Sequence, residues 1–99
     1  PDFSVFDPDG EQALDIPLDK LEVLEDDNKK KILVNCVEGE RHDVSHGDLI
    51  EFRSGSGESL ADFNCEVVRV KTPTKFEIQY SGDLSIDEFC AKAMTNAAS

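Results

Sequence analysis

The sequence predicts a mainly β fold, a small six-stranded β-barrel with a short C-terminal helix. Three observations predict it. Six short segments alternate apolar with polar residues, turn-forming residues punctuate them, and a helical period is confined to the last fifteen residues. The chain has 99 residues, the size of one small domain, which buries about 60–65% of the surface its unfolded chain exposes. Residues 1–99 therefore read as a single domain with one core and little room for a deep, self-contained active site.

Each element carries its own signal. "DFSVF" alternates and is closed by "DPDG", where Pro8 and Gly10 favour a tight turn, so a first strand is expected near residues 2–6. "KLEVLE" and "KILVNC" flank the Asp/Asn-rich "DDNKK", a hairpin signal that places strands near residues 20–25 and 31–37. "DLIEFR" alternates again after His46-Gly47. Ile50 and Phe52 are expected to face the core, because Glu51 and Arg53 then face water. "CEVVRVK" follows a loop of small residues, and "KFEIQY" follows "TPT", a turn with Pro73 well placed. In "SIDEFCAKAMTNAAS" Ser85 is positioned to N-cap and Glu88 stands at the capping-box position, while Ile86, Phe89, Cys90 and Ala93 share one helical face. "RSGSGES", residues 53–59, reads as a flexible loop.

The net charge is −12, from 22 acidic and 10 basic residues. A field of that sign repels phosphate backbones and anionic lipid, so nucleic acid and membrane surface are poor partners and a basic protein surface is a better one. Cys36, Cys65 and Cys90 are odd in number and contain no Cys-x-x-Cys pair, which points to reduced thiols in an intracellular compartment. No apolar run approaches the ~20 residues needed to span a bilayer, and no basic segment opens the chain as a signal peptide would. The start at Pro1, without an initiator methionine, is expected of a fragment of a larger multidomain protein.

The stretch "CVEGERHDVSHGDLIEFR", residues 36–53, holds the residues with most chemical promise. Cys36, His42 and His46 are donors that zinc prefers, with Asp43 or Cys65 available as a fourth, but structural zinc sites usually take cysteines paired close in sequence, and none is paired here. A cysteine nucleophile with a histidine base needs an electropositive setting that an acidic domain does not offer. The expected roles are plainer. Cys36 is a small buried hydrophobe at a strand end, and the two histidines sit in the loop to the next strand. "GSGESL" lacks the lysine of a phosphate loop, and "DPDGE" stops short of a calcium loop, so a solvated linker and a β-turn are expected there. No catalytic residue and no metal ligand is assigned.

The order and spacing of these elements resemble a known family. Cys36 and His42, then Gly47-Asp48, a strand ending in Phe52, a loop with Gly57, and Pro73 with Phe76 and Ile78 follow the pattern of the first catalytic cysteine half-domain of ubiquitin-activating enzymes (E1). The opening "DFSVFDPDGEQAL", with Asp7, Gly10, Glu11 and Leu14, is similar to that family's first strand and its D-x-x-G-E-x-x-L run. The similarity covers about residues 2–90, with "SGSGESLADFN" in place of the family's Gly-Met and Leu-Asn elements and no closing Gly-Gly.

The resemblance implies a β-barrel inserted in the adenylation half of a larger enzyme. Despite its name, this half-domain carries no catalytic cysteine, which makes Cys36 structural. It implies a parent that uses ATP and Mg²⁺ to activate ubiquitin or a ubiquitin-like modifier and forms a thioester, with no cofactor in this domain. Neighbouring adenylation and catalytic-cysteine domains and a ubiquitin-conjugating (E2) enzyme are the other partners implied, and cytoplasm and nucleus the location. The strand and loop after Gly47-Asp48 would face the modifier, which nominates Glu51, Arg53, Ser54 and Ser56 as contacts. Without the resemblance, the residues read as a stand-alone β-barrel module that binds another protein.

Overall fold

The computed structural model describes residues 2–9, 12–26, 29–52 and 65–94. Its strands are β1 (Asp2–Phe6), β2 (Gln12–Asp26), β3 (Lys29–Cys36), β4 (Leu49–Phe52), β5 (Cys65–Thr72) and β6 (Lys75–Tyr80), followed by helix α1 (Ile86–Ala93). They close into an antiparallel barrel in the order β1-β2-β3-β6-β5-β4. Closure removes the open edges that a flat sheet of this size would expose. The order requires one long connection: the segment from Val37 to Asp48 carries the chain from β3, which pairs with β2 and β6, to β4, which pairs with β1 and β5.

Inward and outward residues follow the pleat. Phe3 and Val5, Ile32 and Val34, Ile50 and Phe52, and Phe76 and Ile78 all point to the core, as does Val67. The expected orientation of Ile50 and Phe52 is therefore the observed one; both are 0% exposed. Five phenylalanine, tyrosine and histidine contacts join end to end through this core. His42 lies edge-on to Phe76 (ring centroids 5.0 Å apart), Phe76 to Phe3 (5.6 Å), Phe3 tilts on Phe52 (5.9 Å), Phe52 meets Phe89 (5.5 Å) and Phe89 stacks on Tyr80 (4.5 Å).

Strand β2 is longer than the sequence suggested, starting at Gln12 rather than near residue 20. Pro17 disguises it, because proline removes a ladder donor. The strand tolerates Pro17 since it sits where β2 changes partners. Pro17 pairs with Asp2 of β1, whereas Leu18 already pairs with Cys36 of β3, and the Pro17 carbonyl accepts from the Val37 N–H at 3.4 Å. Ile16 and Leu18 are buried on the inner face on either side of it.

Helix α1 forms where it was expected. Ser85 Oγ accepts from the Glu88 N–H at 3.2 Å, Asp87 and Glu88 lie in the first turn and Lys92 in the last, all favourable to the helix dipole. Phe89 and Ala93 are fully buried and Ile86 and Cys90 pack beside them, so the helix covers the side of the core at which β6 ends. The chain reaches it through Gly82, which only glycine suits: a Cβ there would fall 2.5 Å from Tyr80 Oη, and that hydroxyl donates to the Leu84 carbonyl at 2.9 Å.

Candidate functional site

Of the nominated rim, the strand and the loop after Gly47-Asp48, the described part is β4, which the turn before it positions. Gly47 adopts φ +94°, a conformation that favours glycine, and Asp48 closes the turn by accepting from the Ser45 N–H through Oδ2 at 2.8 Å. The same turn completes the barrel. The Gly47 N–H donates to the Val67 carbonyl and the Val67 N–H donates to the Asp48 carbonyl, both at 2.9 Å. The Gly-Asp pair thus aligns β4 against β5, where Leu49 faces Glu66.

From this base β4 sends Ile50 and Phe52 inward and leaves Glu51 half-buried on the outer face. Glu51 registers with Ser4 of β1, and Ser4 in turn with Asp15 of β2, whose Oδ1 accepts the Ser4 hydroxyl proton. The outer face of β2-β1-β4 therefore carries carboxylates on both sides of a buried serine, a surface suited to a basic partner. Of the nominated contacts, Glu51 lies on this face. Arg53, Ser54 and Ser56 lie outside the described residues, as do Gly10, Glu11 and Gly57 of the resemblance.

The Cys36–His46 stretch has a structural use. His42 is only 4% exposed, and both of its ring nitrogens are engaged. Nδ1 accepts from the Val44 N–H at 3.0 Å, which leaves Nε2 as the protonated nitrogen, donating to the Thr72 carbonyl at 2.5 Å. The backbone reinforces the contact: the His42 N–H donates to the Pro73 carbonyl at 3.1 Å and the Cys36 N–H to the Thr74 carbonyl at 2.9 Å. Asp43 follows at φ +49°, a left-handed conformation aspartate tolerates better than most residues. His42 fastens the long β3–β4 connection across the β5–β6 turn.

These contacts leave neither nitrogen of His42 free to bind zinc or to act as a base. His46 is exposed, and among the described residues no three histidine, cysteine or acidic side chains converge as a metal site would require. Burial, with the nearby Glu40 charge added, pushes the Cys36 thiol up to about 11, which opposes the thiolate a nucleophile needs. Burial likewise raises Cys65 to about 12 and Cys90 to about 11.

The thiols set an alkaline limit on stability. Their folded values lie above the ordinary 9.0, so the folded state favours the neutral thiol, and that contribution is complete below about pH 9 and is lost as pH rises towards 11–12. Two results are expected. The urea midpoint falls between pH 9 and 11, and iodoacetamide at pH 7.5 modifies the native protein far more slowly than the urea-unfolded chain. Rapid alkylation of Cys65 in the native protein would contradict its burial.

Sequence reasoning missed the clamp because "ERHDVSH" has no periodicity and its charged neighbours make His42 look exposed. It also passed over Arg69 and Lys71, whose spacing in "VVRVK" places both on one face of a strand.

No family model, curated protein or solved structure matches the chain. The functional reading rests on the residues themselves.

Proposed function

We propose that the chain is a non-catalytic β-barrel domain of a ubiquitin-activating enzyme, and that β4 with the segment after it helps to wall the canyon in which ubiquitin sits. The observation that carries the reading is the ordered run Cys36, His42, Gly47-Asp48, Phe52, Pro73, Phe76 and Ile78. The closed six-stranded barrel is the architecture which that resemblance implies, and a fold of this kind hosts many functions, so the residue pattern carries the reading. In this reading ATP, Mg²⁺ and the thioester-forming cysteine belong to other parts of the parent enzyme, and this domain supplies surface. The isolated domain then has neither ATPase nor thioester activity.

The carboxylates of the β2-β1-β4 face give that surface its physical basis. Glu51 and Asp15 would draw a basic modifier surface towards the rim and orient it, each contact contributing little alone. The test is a heteronuclear NMR titration of the labelled domain with unlabelled ubiquitin at low salt. Fast-exchange shifts concentrated in residues 48–58 are expected, reduced by Glu51→Gln and by added salt. No shifts at millimolar ubiquitin, or shifts confined to β5 and β6, would overturn the assignment of the rim.

A further inference from the structure

Thr72 is the one serine or threonine of the chain that precedes a proline, and Lys75 stands three residues after it. Thr-Pro-x-Lys is the run that proline-directed protein kinases read. Proline after the acceptor brings no N–H to be satisfied in a substrate cleft, and the lysine offers a cation. The residue before proline is pushed to extended backbone, the form in which a cleft holds its acceptor.

The fold carries this run to the surface. Pro73 and Thr74 form the turn between β5 and β6, and Thr72, Pro73 and Lys75 are all exposed. Thr72 Oγ1 accepts from the Thr74 N–H at 3.2 Å and lies 3.4 Å from the Thr74 hydroxyl oxygen, both exposed contacts within the turn.

The charge around the turn suits a phosphorylated product. Residues 65–80, which form β5, its turn and β6, carry the cations Arg69, Lys71 and Lys75 against the carboxylates Glu66 and Glu77, a net +1 within a chain of −12. This is the reverse of the acidic face on β1 and β4. Arg69 and Lys71 each stand 3.7 Å from Glu77, whereas Lys75 registers with Thr72 across the hairpin. A phosphate on threonine adds a charge of about −1.5 to −2 at pH 7 and three acceptor oxygens. Lys75 and the Thr74 N–H are the donors placed to meet them.

The turn is also held from outside. The carbonyls of Thr72, Pro73 and Thr74 accept in order from His42 Nε2, the His42 N–H and the Cys36 N–H. A turn so bound cannot lie extended in a cleft, so the fraction of molecules in which these bonds have opened sets the rate of modification.

We propose that Thr72 is a phosphoacceptor for a proline-directed protein kinase, reached when the His42 clamp releases the β5–β6 turn. The kinase's ATP supplies the phosphoryl group. A bond forms between Thr72 Oγ1 and the γ-phosphorus as the bond from that phosphorus to the β–γ bridging oxygen breaks, ADP leaves, and the hydroxyl proton passes to the kinase's catalytic aspartate. The site does not depend on the reading of the β4 rim.

The test incubates the ¹⁵N-labelled domain with a purified cyclin-dependent kinase and Mg²⁺-ATP, beside a peptide of residues 66–79 as the unfolded reference. Mass spectrometry should find phosphate on Thr72 of both, with the folded domain labelled about tenfold more slowly than the peptide. The modified domain should keep a dispersed spectrum, with shifts centred on residues 71–75. Pro73→Ala should remove labelling from domain and peptide alike. His42→Phe should bring the rate of the folded domain several-fold towards that of the peptide; if this variant fails to fold, the comparison of wild type with peptide still tests the gate. Phosphate on neither substrate, phosphate on Thr74 in place of Thr72, labelling that survives Pro73→Ala, or a domain that stays unlabelled while the peptide is consumed would overturn the site. Equal rates for the folded domain and the peptide, or a folded His42→Phe domain labelled no faster than wild type, would overturn the gate.

Discussion

Replacing Phe76 by alanine should leave the barrel at or beyond the limit of its stability. Phe76 is 0% exposed and touches Phe3 on one side and the His42 ring on the other, so truncation empties space that no single neighbour can fill. Removing a buried phenylalanine side chain costs about 3–5 kcal/mol, from lost transfer free energy together with the cavity left behind. A domain of this size has a total stability of about 5–15 kcal/mol, so the loss is a large share of it. Urea unfolding followed by circular dichroism should show the midpoint of Phe76→Ala falling steeply with little change in slope. Val23→Ala supplies the contrast, because Val23 is 37% exposed and its truncation should change stability by less than about 1 kcal/mol. Equal effects of the two substitutions would mean that the aromatic chain is not the centre of the core.

The inward face of this core was legible in the sequence because its members recur at the strand period, although Ser4, Leu33 and Glu77 between them are buried as well. Ile50 and Phe52, or Phe76 and Ile78, recur every second residue, and the pleat sends both members of each pair to one side. The helix was legible for a similar reason, since Ser85, Glu88 and the Phe89–Ala93 spacing are local signals that need no partner to be read. Closure of the barrel was legible only as a class. Its order puts β3 beside β6 and β1 beside β4, and those neighbours are fixed by the path of the Val37–Asp48 connection rather than by any one strand. The start of β2 was hidden because Pro17 signals a break to any local reading, and the change of partner that makes it harmless is a tertiary fact.

The candidate site divides in the same way. Glu51 was predictable from alternation, because a residue between two inward neighbours must face outward. That Ser4 and Asp15 stand beside it was not, since the register of β1 with both β2 and β4 sets the row. The opposite polarity of the β5–β6 hairpin was present in the composition of residues 65–80 but was concealed by the chain's overall charge of −12. Net charge describes long-range steering, whereas docking depends on which charges share a face.

His42→Ala should be the most damaging substitution outside the strands and the helix. It removes the acceptor of the Val44 N–H and the donor to the Thr72 carbonyl, and it deletes the edge contact with Phe76. A buried backbone group left without a partner costs about 1–3 kcal/mol, and an aromatic pair contributes about 0.5–1.5 kcal/mol beyond area. Partial entry of water into the space offsets some of this, and a net loss of about 2–4 kcal/mol is expected. His42→Phe separates the causes, since it keeps a ring against Phe76 but satisfies neither backbone group. If the hydrogen bonds carry the effect, His42→Phe should be nearly as unstable as His42→Ala; stability equal to wild type would refute the clamp. Hydrogen exchange locates the consequence. The amides of Cys36, His42 and Val44 should lose protection well before those within β1 and β6, because their acceptors lie on or across this connection. The loosened segment leads directly into Gly47-Asp48, whose bonds to Val67 align β4, so protection at Gly47 and Val67 should fall next. A histidine whose spacing suggests catalysis thus governs the candidate binding rim through the path of the backbone, and its variants should alter that rim without touching a ligand.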